Sequence, residues 1–211
     1  MVAAAGKRSE RMTREGKIMT QTKQQEAEQM SKRILQRQTT GHEDWGTPVH
    51  ILDAARMALG GEFDLDPASN PKANERVRAA KIYTRHDDGL IWPWHAERLW
   101  LNPPFSRGLV DKFVDKLLIE WHAGNVEQAC VITNNSTETR WAQMLAQAAS
   151  GVCFLNGRVQ FHLMDAETGE YVPNDKGNMT GQVVWYVEQP GYDLVDRFGM
   201  AFSGLGQCFW R

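Results

Sequence analysis

Residues Asn102, Pro103, Pro104 and Phe105 form the segment of this chain best suited to chemistry. An apolar run, Leu99-Trp100-Leu101, delivers an asparagine into a double-proline turn that ends on an aromatic ring. Proline lacks a backbone N–H and restricts φ, so such a turn holds its carbonyls in fixed directions. Asn102 offers a side-chain carbonyl and Pro103 a backbone carbonyl, two acceptors close together. An aromatic amine such as adenine N6 is a poor nucleophile because its lone pair is delocalised into the ring. Acceptors on both of its N–H groups favour a more tetrahedral nitrogen that keeps the lone pair. Phe105 adds a flat face, and enzymes that act on a base generally extrude it from the duplex and stack it. The plainer reading is a strand terminator in which Asn102 caps a turn.

The elements around the turn decide whether it sits in a site. Residues 98–101 read as a strand, and 108–122 as a helix with Leu109, Phe113, Leu117 and Trp121 on one face. Upstream, Thr47-Pro48 predicts a helix start, with Thr47 as N-cap and Pro48 at the first position. Val49, Leu52, Ala55, Arg56 and Leu59 follow at helical spacing until Gly60-Gly61 stops them. Residues 63–66 read as a strand ending at Pro67, 128–133 as a buried strand, 138–149 as a helix and 152–155 as a short strand. Strands alternating with helices predict an α/β fold with a mostly parallel sheet. Residues 158–163 and 182–187 read as two further strands, joined by the polar loop 165–181 into a C-terminal antiparallel hairpin. Ligands in open α/β sheets bind beyond the carboxyl ends of the strands, which is where the Asn102 turn falls.

The 211 residues are enough for one sizeable core, with 42% hydrophobic and 24% charged residues. No apolar run reaches the roughly 18 residues of a membrane helix, and no secretory signal opens the chain, so a cytoplasmic protein is expected. Cys130, Cys153 and Cys208 are far apart and odd in number, which argues for reduced, buried thiols rather than disulfides or zinc. The six histidines show no metal-ligand spacing, and no metal is expected. Charge is uneven. Residues 1–40 carry nine Lys/Arg against four Glu, so the remainder of a chain of net charge −2 carries −7. Residues 1–40 therefore read as a basic, solvated arm, with 24–37 able to form a helix. Contact with DNA phosphates or a partner is the sharper alternative. Residues 41–211 read as a single domain whose ordered part begins near Trp45. Such a body does not bind nucleic acid by bulk charge.

Several segments occur together in a telling order: Trp45-Gly46-Thr47-Pro48, Phe63-Asp64-Leu65-Asp66-Pro67-Ala68, Asp88-Gly89-Leu90 followed by Trp94, Asn102 to Phe105, and Gly157-Arg158-Val159-Gln160-Phe161. In this the chain resembles the phage-type, Dam-like DNA adenine-N6 methyltransferases over roughly residues 44–187. The resemblance implies a Rossmann-like class I fold dependent on S-adenosylmethionine (AdoMet), a DNA substrate, and the host cytoplasm as location. It implies that Asn102, Pro103, Pro104 and Phe105 hold the target amine. It also implies that Asp66, Pro67 and Ala68 end the first strand beside the cofactor, that Thr47 and Pro48 border the same pocket, and that Asp88 approaches its adenine side, with Asp87 as competitor. One departure stands out: Asp66-Pro67-Ala68-Ser69-Asn70 contains no glycine, where many AdoMet-binding folds place a glycine-rich turn.

Ser106, Arg107 and Arg158 are candidates for contact with DNA near the target base. Asn134, Asn135 and Ser136, at the end of the next strand, are further candidates for the pocket. Two other readings compete, besides a metal-dependent nuclease built on Asp64 and Asp66. One is the same chemistry on cytosine N4, RNA or a protein glutamine. The other is a binding module that keeps the fold without turnover.

Overall fold

A computed structural model describes residues 45–106, 108–165, 167–174 and 179–211. The arm 1–40, the helix expected at 24–37, Arg107 and parts of the loop 165–181 lie outside the described residues. In chain order the elements are β1 (Trp45–Gly46), α1 (Val49–Leu59), β2 (Leu65–Asp66), α2 (Pro71–Val77), β3 (Lys81–Ile82), β4 (Ala96–Leu101), α3 (Leu109–His122) and β5 (Val126–Asn134). There follow α4 (Arg140–Ala148), β6 (Gly151–Leu155), β7 (His162–Met164), β8 (Tyr171–Pro173), β9 (Gln182–Glu188), α5 (Val195–Phe202) and β10 (Gly206–Trp210).

The main sheet has the order β10-β6-β9-β5-β4-β2-β3. β3, β2, β4 and β5 are mutually parallel, and β9 enters antiparallel between β5 and β6. Two-residue periodicity along these strands splits the core into two faces. Trp100, Cys130, Ile132, Val184 and Tyr186 pack with α1 and α5. Leu99, Leu101, Ala129, Val131, Val183 and Trp185 pack with α3 and α4. Helices on both faces of a largely parallel sheet make the α/β, Rossmann-like arrangement read from the sequence. Cys130, Cys153 and Cys208 are free and buried. No helix among the described residues is long and apolar enough to cross a membrane.

α1 buries Ile51, Leu52, Ala54, Ala55, Ala58 and Leu59, and ends at Gly60 with φ 76°. Arg56, which falls on the same buried face, is held by Asp53 at 2.7 Å and Glu62 at 2.9 Å. Its guanidinium also donates to the carbonyls of Arg76 and Val77 at 2.6 and 2.8 Å, which ties α1 to the end of α2. The start of α1 corrects the sequence reading by one residue. Pro48 occupies the cap position with ψ 141°, and no side chain caps the helix. The Thr47 hydroxyl is engaged with Asn102 instead.

The C-terminal pairing also differs. Residues 158–161 are not strand, and β7 does not pair with β9. β7 forms an antiparallel hairpin with β8, and β1 adds to its other side in a separate three-stranded sheet. β9 is buried along all seven residues, so it needs cover on both faces, and the centre of the main sheet supplies it.

Candidate active site

β2 and β4 are neighbours in the sheet, but the chain leaves them in opposite directions. After β2 it passes through α2 to β3 on one side, and after β4 through α3 to β5 on the other. That reversal of strand order opens a crevice at their carboxyl ends, the usual place for a ligand in such sheets. Asp66 is the last residue of β2, and Asn102 directly follows β4. Both line one cleft, together with Thr47, Ala68 and Pro103.

The Asn102 amide has a defined orientation. Its Nδ2 donates to the Trp45 carbonyl at 3.0 Å and to Thr47 Oγ1 at 3.3 Å. A carbonyl only accepts, so the nitrogen must face Trp45 and the oxygen must face away. Asn102 Oδ1 is buried and has no partner among the described residues. An unsatisfied buried acceptor costs about 1–3 kcal/mol, and such orphans concentrate where a ligand completes the set.

Asp66 is only 3% exposed, and its carboxylate accepts the Ala68 N–H at 3.1 Å. Burial pushes its pKa up to about 6, against the smaller lowering effects of the Ala68 N–H and the Ser69 hydroxyl. The cleft is therefore rich in acceptors, which suits a ligand that brings hydroxyl and amino groups. AdoMet is such a ligand, with ribose hydroxyls and an ammonium group. Two small residues, Ala68 after β2 and Ala73 in α2, line the cleft.

The other expected residues among those described do not line the cleft. Pro48 and Pro67 are buried, and a Cβ on Gly89 would meet the Pro67 carbonyl at 2.0 Å, so the turn at 88–90 is pressed against the exit of β2. Asp88 has a positive φ of 54°, and its carboxylate accepts the Leu90 N–H at 3.1 Å. Asp87 caps the same turn by accepting from the Thr84 N–H and hydroxyl, which hold its pKa low. Neither aspartate lines the cleft. Phe105 meets Phe161 edge-on at 6.2 Å, and Phe161 meets Trp45 edge-on at 6.4 Å. Ser106 Oγ is buried without a partner among the described residues. The cap of α3 is Gly108, with φ 82°, rather than Ser106. Arg158 is exposed, just past the bend that follows β6. Asn134 Oδ1 accepts from Thr180 at 2.9 Å and Gln182 at 3.3 Å, and the Asn135 N–H donates to Gly181 at 3.0 Å. These residues outside the cleft lining close the end of β5 against β9.

Sequence reasoning missed Ser69, Asn70 and Tyr171 in the cleft, and the part played by the Trp45 carbonyl. Tyr171 reaches in from β8, and its hydroxyl accepts from Asn70 Nδ2 at 2.9 Å. Its ring lies on β1, where a Cβ on Gly46 would come within 2.8 Å of it. The only sequence signals for this contact are the glycine at 46 and an isolated aromatic in a polar loop. Among the described residues no group of three or more His, Cys, Asp or Glu is placed to hold a metal.

Known proteins resemble this chain in sequence. The sequence profile of the DNA N-6-adenine-methyltransferase (Dam) family matches residues 36–192. A DNA N-6-adenine-methyltransferase of Haemophilus phage HP1 is 24% identical over 149 residues, covering 70% of this chain and 80% of the phage protein. One from Escherichia phage T1 is 27% identical over 161 residues, covering 69% of this chain but only 62% of the T1 protein. The crystal structure of a candidate RNA methyltransferase from Pyrococcus horikoshii superposes with TM-score 0.43 at 11% identity. It covers 70% of this chain and 87% of that one, a match too loose to carry an argument.

Proposed function

This chain belongs to the DNA N-6-adenine-methyltransferase (Dam) family, and we propose that it transfers a methyl group from AdoMet to the N6 amine of adenine in DNA. The observation that carries the reading is the orphaned Asn102 Oδ1, a buried acceptor facing away from both partners of its own amide nitrogen.

AdoMet supplies an electrophilic methyl group when bound; the chain does the rest. Asp66, Pro67 and Ala68 at the end of β2 would hold the cofactor, with Thr47 and Pro48 at its border and Asp88 beyond the Pro67 rim. Asn102 Oδ1 accepts one N–H of the target amine and the Pro103 carbonyl accepts the other. The nitrogen would then keep its lone pair for attack, so that the N–CH3 bond forms as the S–CH3 bond breaks and S-adenosylhomocysteine leaves. Asn102 and Pro103 are not bases, so the proton released after transfer passes to water. Extruding the adenine costs a few kcal/mol, and stacking on Phe105 returns about 1–3 kcal/mol. Phe105 is held by Phe161, so little ordering remains to be done when the base arrives. Satisfying the buried Oδ1 adds a further contribution that exists only with the amine in place. Most of the rate gain then comes from positioning. Ser106, Arg107 and Arg158 would contact DNA beside the extruded base.

The test uses purified protein, methyl-labelled AdoMet and unmethylated DNA, digested to nucleosides and analysed by mass spectrometry. Label in N6-methyladenine is the expected result. Label only in a cytosine product, or none in DNA while RNA or protein is labelled, would refute the substrate assignment.

A further inference from the structure

We propose that Thr47 is a positioning residue, which together with the Trp45 carbonyl holds the Asn102 amide in the one orientation that leaves its oxygen available. The proposal rests on the reading of Asn102 as the residue that receives the target amine. It gives the Thr-Pro segment a task beyond bordering a cofactor.

An asparagine amide is two-faced. Its terminal torsion is broad and roughly two-fold, so a half-turn exchanges oxygen and nitrogen at little intrinsic cost. Only neighbours can choose between the two states. The Trp45 carbonyl is an obligate acceptor 3.0 Å from Nδ2. Thr47 Oγ1 takes the remaining N–H at 3.3 Å. With both donors spent on β1 and the residue after it, Oδ1 is the only amide atom left over, and it is buried without a partner among the described residues. A flipped amide would set two oxygens against each other at Trp45.

The bracket is stiff. Thr47 is 4% exposed and lies between two residues that cannot shift freely. On one side, Gly46 is packed so closely under Tyr171 that a Cβ would come within 2.8 Å of the ring. On the other, Pro48 is fixed at φ −59° at the start of α1. The same bracket selects asparagine over aspartate at 102. A carboxylate has no proton to offer the Trp45 carbonyl, although Thr47 could rotate its hydroxyl and donate.

The test compares Thr47→Val, which removes the acceptor, with Thr47→Ser, which keeps it, in the full chain. Three quantities are measured: AdoMet affinity by calorimetry, single-turnover methyl transfer at saturating AdoMet and DNA, and the Asn102 side-chain amide signals by NMR. The amide signals are assigned by their loss in Asn102→Ala. Thr47→Val is expected to move the Asn102 amide signals and slow transfer at saturating AdoMet by about tenfold to a hundredfold, whatever its effect on AdoMet affinity. Thr47→Ser is expected to restore both, and Thr47→Val added to Asn102→Ala to slow transfer no further. Unmoved amide signals, or a loss confined to AdoMet affinity, would overturn the proposal. If Thr47→Val fails to fold, Asn102→Asp decides. It is expected to lose at least about tenfold in rate despite keeping an acceptor oxygen, and full activity would overturn the proposal. If the wild type methylates no DNA, the functional reading falls. The amide signals of Thr47→Val still decide the positioning claim.

Discussion

Asp66 sits where a charge is costly, buried at the end of a strand, and its pKa is raised from 3.8 to about 6. The fold therefore favours the neutral carboxyl. Below about pH 4 the residue is protonated in both folded and unfolded states and no penalty applies. As pH rises from about 4 to about 6 the unfolded chain releases its proton first, and stability falls by up to about 3 kcal/mol, at 1.36 kcal/mol per pKa unit. Asp66→Asn should therefore match the wild type in urea unfolding near pH 4 and exceed it near pH 7. A donor group on the bound cofactor would favour the ionised form, so AdoMet affinity should weaken as pH falls through about 6. Calorimetry across that range checks it, and a flat profile would remove Asp66 from the cofactor site. Asn102 and Asp66 were legible as candidates because their side-chain carbonyl and carboxylate are groups that can serve chemistry. The Trp45 contribution was not, because a backbone carbonyl leaves no mark on residue type.

At the scale of elements, the small sheet made by β1, β7 and β8 sets the position of the amide bracket. Gly46→Ala would push β1 away from Tyr171, at a cost of about 1–3 kcal/mol, and slow methyl transfer by more than that loss of stability explains. Melting curves and single-turnover rates measured together check this, and an unchanged rate would separate the small sheet from the site. Arg56→Ala is a control away from the cleft. It leaves the Arg76 and Val77 carbonyls without their donor and should cost on the order of 2 kcal/mol in urea unfolding, with transfer by the folded fraction unaltered. Long elements with a clean period were readable from sequence: α1, α3, β4, β5 and β9. The two-residue strands β1 and β3 and the seven-residue helix α2 are too short to show a period. Existence and pairing are also separate questions. Residues 182–187 read as a strand, but the place of β9 between β5 and β6 depends on pairing with residues 29 to 60 positions away in the chain, which no local pattern specifies.

For the whole molecule, Phe105, just after β4, packs against both of the cores that lie on either side of the main sheet. Cys130 lies in one of them, and burial pushes its thiol well above the usual range, as it does for Cys153. Neither should react with an alkylating reagent near pH 8 except through opening of the fold, so labelling should track denaturant. Rapid labelling in the native state would contradict this packing. The central claim is tested most directly by Asn102→Ala, with single-turnover methyl transfer to adenine and AdoMet affinity measured on the same preparation. The expected result is a rate at least about a hundredfold lower with AdoMet affinity nearly unchanged. A mutant that transfers as fast as the wild type would show that the orphaned oxygen is not what holds the amine.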